Sequence, residues 1–370
     1  MRIALIRREY ITHLDGVNRF IAWLAEGLHK LGHDTVLASW CYSEQVSKEE
    51  LEQWFKEKHG LDFEIPIYTL RKEPCRGDPW ARMLWEWWTQ GSALLKRLDV
   101  DMVLVNGVVP LRFKPKIAVA HGIHRPLSFT ERLISKVLYS TYDTVICVSE
   151  VSRTEYRGIT ECHYIIPLPM KLELYKPSTR REGIIVHIGT RSIKNPHVSI
   201  EAVEKLREKG FNAELYIIGA RTSYVENLTK NKPYIHLMFD VDENEKIDIL
   251  CRAKALILPS SGEAFSFTTL EAMACGTPPV VSSAVPSEVV IHGINGLRVA
   301  TINPIDYANA LASLFSDENL WTRLSKGGQE FAKRFDYIEI AKKYAEILGK
   351  LQDRKEEYYT KGKRHYGRIS

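Results

Sequence analysis

Glu263-Ala264-Phe265-Ser266-Phe267-Thr268-Thr269-Leu270-Glu271-Ala272-Met273-Ala274-Cys275-Gly276-Thr277-Pro278 is the stretch on which the reading of this chain turns. It follows a short apolar run, Ala255 to Leu258, and the turn Pro259-Ser260-Ser261-Gly262. A second apolar run, Pro279 to Val281, comes directly after it. The interior of the stretch suits a helix that Gly276 and Pro278 stop. Strand, loop, helix and strand in that order are the repeating unit of a parallel sheet. Glu263 falls in the loop after the strand and Glu271 inside the helix. On one continuous helix these carboxylates would stand roughly 12 Å apart. That exceeds the separation of about 5 to 9.5 Å between the paired carboxyls of glycosidases. One carboxylate at each end of an elongated ligand, with a diphosphate at the helix N-terminus between them, suits the spacing better.

The same alternation extends in both directions. Upstream in the second half, strands are expected at Ile184 to Ile188, Glu214 to Ile218 and Ile235 to Phe239, and downstream at Leu297 to Val299. The first half repeats the pattern with strands at Ile3 to Ile6, Thr35 to Ser39, Asp62 to Leu70, Met102 to Val105, Ile117 to Ala120 and Val145 to Val148. Helix-period segments such as Val17 to Leu31 lie between them. Proline punctuates the join, at Ile165-Ile166-Pro167-Leu168-Pro169 and Lys176-Pro177-Ser178. The expected α/β architecture is two doubly wound Rossmann-like domains facing across a cleft, residues 1–172 and 173–350. Residues 351–370 form a basic aromatic tail that can pack back on the first domain. Ligands of such folds bind beyond the carboxyl ends of the strands.

Length and composition agree. At 370 residues, with 45% hydrophobic and 26% charged, the chain is an ordinary globular protein too long for a single core. Its net charge of +5 is weak and gathers in the tail, which excludes a dedicated nucleic-acid binder. The first residues are too brief an apolar run for a signal peptide, and no run approaches a spanning helix, so a cytoplasmic location is expected. Six cysteines without CxxC spacing read as free buried thiols rather than disulfides or zinc ligands.

Glu, seven residues, Glu, then Ala-Met-Ala-Cys-Gly-Thr-Pro resembles the signature of family 4 of the retaining GT-B glycosyltransferases. The resemblance implies that Glu263 contacts the donor sugar and Glu271 the ribose hydroxyls, with Ala264, Phe265, Ser266 and Phe267 lining the donor site. Gly189-Thr190-Arg191-Ser192-Ile193-Lys194, after the first strand of the second domain, resembles the family's diphosphate-holding segment. Arg191 would grip phosphate oxygens as a fork and Lys194 as a point charge. Leu14-Asp15-Gly16-Val17-Asn18-Arg19 resembles the glycine-rich loop of the first domain, where Gly16 lets backbone approach phosphate or sugar. His121, after Ile117-Ala118-Val119-Ala120, matches the family's post-strand histidine on the donor sugar, with His124 as a competitor. The implied co-substrate is a nucleotide diphosphate sugar, UDP-, GDP- or ADP-linked, with no separate cofactor. The sequence does not identify the acceptor, which the resemblance leaves open among a sugar, a glycan, a lipid-linked sugar and a small molecule.

Departures matter as well. Ala264 and Ser266 stand where the family commonly has glycine, and Asp240 replaces another frequent glycine. No G-x-G-x-x-G follows the first strand, which counts against a dinucleotide oxidoreductase. Asp99-Val100-Asp101 and Asp240-Val241-Asp242 read as turn and helix-cap residues, so no metal site is expected. A nucleotide-sugar epimerase of the same architecture and a catalytically silent sugar-nucleotide binder are the rival functions. In residues 80–98, Leu84, Trp87, Trp88, Gly91, Leu95 and Leu98 share a helical face directed at the core. Trp85 points away from it, and Arg71, Lys72, Arg76, Arg82, Lys96 and Arg97 surround the segment, which makes it a candidate for peripheral contact with a membrane.

Overall fold

The computed structural model describes residues 1–75, 79–123, 127–178, 181–239 and 241–366, with side chains through Asp353. Arg76, His124 and Asp240 lie outside the described residues, so their expected roles receive no structural account. The chain forms two compact units, Met1–Met170 with Phe335–Ser370, and Lys171–Arg334.

Among the described residues, the first unit is built on seven parallel strands: β1 (Arg2–Tyr10), β2 (Asp34–Cys41), β3 (Ile67–Thr69), β4 (Met102–Asn106), β5 (Lys116–Ala120), β6 (Thr144–Cys147) and β7 (Tyr164–Ile165). Their spatial order is β3-β2-β1-β4-β5-β6-β7. The second unit has, among the described residues, six parallel strands: β8 (Ile184–Ile188), β9 (Glu214–Gly219), β10 (Ile235–Phe239), β11 (Ala255–Leu258), β12 (Pro279–Ser282) and β13 (Leu297–Val299). Their order is β10-β9-β8-β11-β12-β13. In each sheet the chain grows outward from its first strand, then returns to that strand's other side. The reversal falls between β1 and β4 in one unit and between β8 and β11 in the other, the position where open α/β sheets leave a crevice.

The central strands of both sheets, β4, β5 and β6 in one unit and β8, β11 and β12 in the other, are buried and rich in Val, Ile, Leu and Ala, as two-sided burial in a parallel sheet requires, whereas the edge strand β10 is only half-buried. Strand β3 is shorter than expected. The segment before it carries a left-handed Gly60 and a proline at 66, which has no N–H for the ladder, and pairing starts only at Ile67. The last helix, Tyr337–Tyr366, belongs to the first unit, although the sequence reading carried the second domain to 350. Gly27 explains its close seat on the Gly16–Lys30 helix: a Cβ there would stand 2.7 Å from Ala341 Cβ and 2.8 Å from the Tyr337 carbonyl.

The cysteines correct the sequence reading. They are disulfide-bonded as Cys41–Cys75, Cys147–Cys162 and Cys251–Cys275, with Cα separations of 5.9, 5.7 and 4.5 Å, not free thiols. Pairing within a parallel sheet brings together segments that spacing rules treat as unrelated. Arg71 N donates to Trp40 O and Cys75 N to Tyr42 O, which carries Cys75 alongside the end of β2. In the same way His163 N donates to Val145 O and Ile166 N to Cys147 O, which places Cys162 beside β6.

The tryptophan segment departs in one particular. The helix Trp80–Glu86 passes into a π turn, Trp87–Gly91, before Ser92–Arg97. Trp87, Gly91, Leu95 and Leu98 face inward as expected, but the added residue of the π turn leaves Trp88 exposed.

Candidate active site

Two loops meet at the reversal point of the second sheet. One leaves the carboxyl end of β8 and carries Gly189, Arg191 and Lys194. The other leaves β11 and carries Glu263. Backbone and side-chain bonds tie them together. Ser261 N donates to Ile193 O (2.8 Å), and Asn195 Nδ2 donates to Pro259 O (2.8 Å) and Ser261 Oγ (2.7 Å). Asn195 adopts a left-handed φ of 50°, which asparagine tolerates better than most residues. Held this way, Lys194 Nζ makes an ion pair with Glu263 Oε1, and both side chains are largely buried. Arg191 stands exposed beside them.

Gly189 is required by this packing. Its φ is +115°, and a Cβ would stand 2.8 Å from Lys194 Cγ. Beneath it, His187 is fully buried, with Nε2 2.7 Å from Gly189 O and Nδ1 2.8 Å from Ser199 Oγ. A carbonyl can only accept, so Nε2 carries the proton, and in the neutral ring Nδ1 accepts from the serine hydroxyl. Burial, aided by the positive charge of Lys194, pushes the His187 pKa down to about 4 and keeps the ring neutral. His187 and Asn195 were not among the residues expected from sequence. Each acts on the site through the loop it holds.

The helix after Glu263 begins at Phe267 and runs to Ala274, so the two glutamates are not on one continuous helix. Ser266 precedes it at φ +82°, and its hydroxyl pairs with Thr269 Oγ1 at 2.8 Å. Phe265 is buried, while Ala264 and Phe267 are half-buried. Glu271 is only 1% exposed. It receives bonds from Lys246 Nζ at 3.1 and 3.2 Å and from the Tyr175 hydroxyl at 3.2 Å. Lys246 also pairs with Glu243 (2.6 Å). Lys246 escapes sequence reading because nothing nearby in the chain marks it as the partner of a residue on the next helix.

At the reversal point of the first sheet, Gly16 is the first residue of its helix. Asp15 caps that helix by accepting from Asn18 N (2.9 Å), and Arg7 at the end of β1 donates to the other Asp15 oxygen (2.7 Å). Asn18 is fully buried, and its amide reaches the carbonyls of Tyr10, Ile11 and His13, which fixes the loop entering the helix. His121 Nε2 lies 2.9 Å from Asn106 Oδ1. The Asn106 amide nitrogen is committed to Ile6 O, so His121 must donate through Nε2. Its ring meets Phe20 edge-on, 4.7 Å between centroids.

The Asp-x-Asp strings serve structure where they are described. Asp101 accepts from Arg2 N (2.8 Å), Asp99 occupies a left-handed turn position, and Asp242 caps the Glu243–Arg252 helix.

Comparison with known proteins agrees in both halves. The family model Glycosyltransferase Family 4 matches residues 14–167, and the model Glycosyl transferases group 1 matches residues 176–331. A D-inositol 3-phosphate glycosyltransferase from Xylanimonas cellulosilytica is 28% identical over 350 residues, covering 81% of this chain and 80% of that one. A GDP-mannose-dependent alpha-(1-6)-phosphatidylinositol dimannoside mannosyltransferase from Mycobacterium tuberculosis is 28% identical over 192 residues, 48% of this chain and 50% of that one. Among solved structures, sucrose-phosphate synthase from Thermosynechococcus elongatus superimposes with a TM-score of 0.76 at 17% identity, covering 95% of this chain and 99% of that one. The Anabaena protein Alr3699/HepE, solved with UDP and glucose, gives 0.73 at 16% identity, covering 95% and 100%.

Proposed function

The chain belongs to the family 4 glycosyltransferases of the GT-B fold, and we propose that it transfers a sugar, with retention, from a nucleotide diphosphate sugar held by the second unit. The observation that carries this reading is the Lys194–Glu263 pair, set across the reversal point with Arg191 exposed beside it. An arriving diphosphate replaces the carboxylate as the partner of Lys194 and gains Arg191 as a fork. Glu263 is thereby released toward the sugar. The anomeric carbon–oxygen bond to the diphosphate breaks as the acceptor oxygen bonds to the same face of that carbon. The acceptor proton passes to a diphosphate oxygen, and Arg191 and Lys194 neutralise the charge that develops on the leaving group. These two cations supply the charge that a metal would otherwise supply, so activity is expected to persist in excess EDTA.

Glu271 is the assigned ribose contact, through exchange of the Lys246 and Tyr175 bonds for ribose hydroxyls. His121 and Gly16 of the first unit are assigned to the donor sugar and its phosphate. The UDP of the Anabaena structure and the GDP-mannose and inositol phosphate in the relatives' names support a nucleotide sugar donor and a polyol or lipid-linked acceptor.

Glu263→Ala tests the reading. Turnover should fall by orders of magnitude while nucleotide diphosphate still raises the melting temperature. Arg191→Ala and Lys194→Ala should each weaken diphosphate binding by about 1.5 to 3 kcal/mol. Unchanged turnover in the first variant, or unchanged affinity in the other two, sinks the assignments. Product of inverted anomeric configuration defeats retention, and conversion of the donor to its epimer without acceptor makes the chain an isomerase.

A further inference from the structure

The helix Phe129–Tyr139 belongs to the first unit, yet Tyr139 is its only buried side chain. Phe129, Leu133, Ile134 and Val137 face outward, Phe129 at 82% exposure and Val137 at 58%. At about 100° per residue they occupy one arc of the helix, and Arg132 and Lys136 border that arc on one side. The helix is firmly placed. Ser128 and Glu131 form a capping box at its start, and the Tyr139 ring packs on Tyr156 at its end, 5.4 Å between centroids.

Alongside the basic border lies an open cavity of about 690 Å³ with Lys136, Arg153 and Arg157 in its lining. Glu150 and Glu161 also line it, and Arg153 lies 3.4 Å from both Glu150 oxygens. Among the described residues, Lys136 and Arg157 are the remaining cations of the lining, and Arg132 Nη2 comes within 3.9 Å of where a Cβ on Gly158 would stand. The exposed Trp85 and Trp88 sit on a segment that shares this helix's core cluster, through Trp87 and Tyr139.

From this arrangement we infer that the first unit docks on an anionic bilayer. The Phe129–Tyr139 helix is the inserted element, and the cavity beside it receives a lipid phosphate. Four apolar side chains on one arc are too little for a stable protein interface. They suit shallow insertion among acyl chains, which needs a basic border to hold it. The inference concerns a surface of the first unit alone, and it stands or falls independently of the donor reading.

Flotation of the full chain with vesicles, without donor or acceptor, tests it. The wild type should float with mixed phosphatidylcholine and phosphatidylglycerol and stay at the bottom with phosphatidylcholine alone. Leu133→Asp with Val137→Asp should abolish flotation without lowering the melting temperature, since both side chains are exposed. Lys136→Gln and Arg157→Gln should each weaken partitioning about 5-fold. Equal behaviour with both vesicle types, or flotation unchanged in the aspartate variant, overturns the proposal. Loss confined to Trp85→Ala overturns it too, by moving the contact to the tryptophan segment. Inorganic phosphate that occupies the cavity at millimolar concentration while the wild type ignores vesicles would make it a phosphate site and refute the lipid assignment.

Discussion

Ser266 holds a backbone conformation that costs a residue with a Cβ about 1 to 2 kcal/mol, at φ +82° before the Phe267–Ala274 helix. Glycine would hold it without that cost, and glycine is what the resembled family commonly places there. The serine hydroxyl offsets part of the strain by pairing with Thr269. Comparing Ser266→Gly with Ser266→Ala separates the two effects, because both lose the hydroxyl and only glycine relieves the backbone. The glycine variant should be the more stable by about 1 to 2 kcal/mol in denaturant unfolding. Equal stability would mean that the loop is unstrained. A second measure concerns Lys194 and Glu263, largely buried and paired. Either alanine variant strands a charge, so the double variant should lose clearly less stability than the sum of the singles. Additivity would mean that the pair is not formed. At this scale the sequence was informative where chemistry is concentrated in one stretch, as at Glu263 and Lys194. It was silent on Asn18, Asn195 and Lys246, whose partners are chosen by the folded chain.

Strand β8 shows what an element adds to its loop. Its His187 reaches out of the sheet plane to hold Gly189 O and is fixed from behind by Ser199 of the following helix. Because burial lowers its pKa to about 4, against about 6.5 in the unfolded chain, the unfolded state binds more protons between those values. The associated stability is therefore complete above about pH 6.5 and is lost as pH falls toward 4, by about 3 kcal/mol in all. His187→Gln should remove that share of the pH dependence, as read from melting temperatures across this window. An identical slope in the variant would show that other groups carry it. Most elements were legible in advance, since two-sided burial writes parallel strands as apolar runs. Strand β7 was not, being two residues long, and the π turn at Trp87–Gly91 was not, because it depends on Gly91 approaching Leu111, far along the chain.

At the scale of the whole chain, the three disulfides divide as two in the first unit and one in the second, and none joins the units. They close segments of 34, 15 and 24 residues, lengths for which the loss of unfolded-chain entropy amounts to about 3 to 4 kcal/mol per bridge. That is comparable with the net stability of a domain, so each unit should depend on its own bridges. Cys251–Cys275 also binds the end of the Glu243–Arg252 helix, which carries Lys246, to the residue following the Phe267–Ala274 helix, which carries Glu271. Cys251→Ser with Cys275→Ser should therefore lower the melting temperature of the second unit, leave that of the first unchanged, and weaken nucleotide binding if Glu271 contacts ribose. Thiol titration supplies the direct check. Chain purified without reductant and then denatured should show almost no reactive thiol, and six after reduction. Six before reduction would restore the reading of free cysteines and remove the entropic contribution assigned to the bridges.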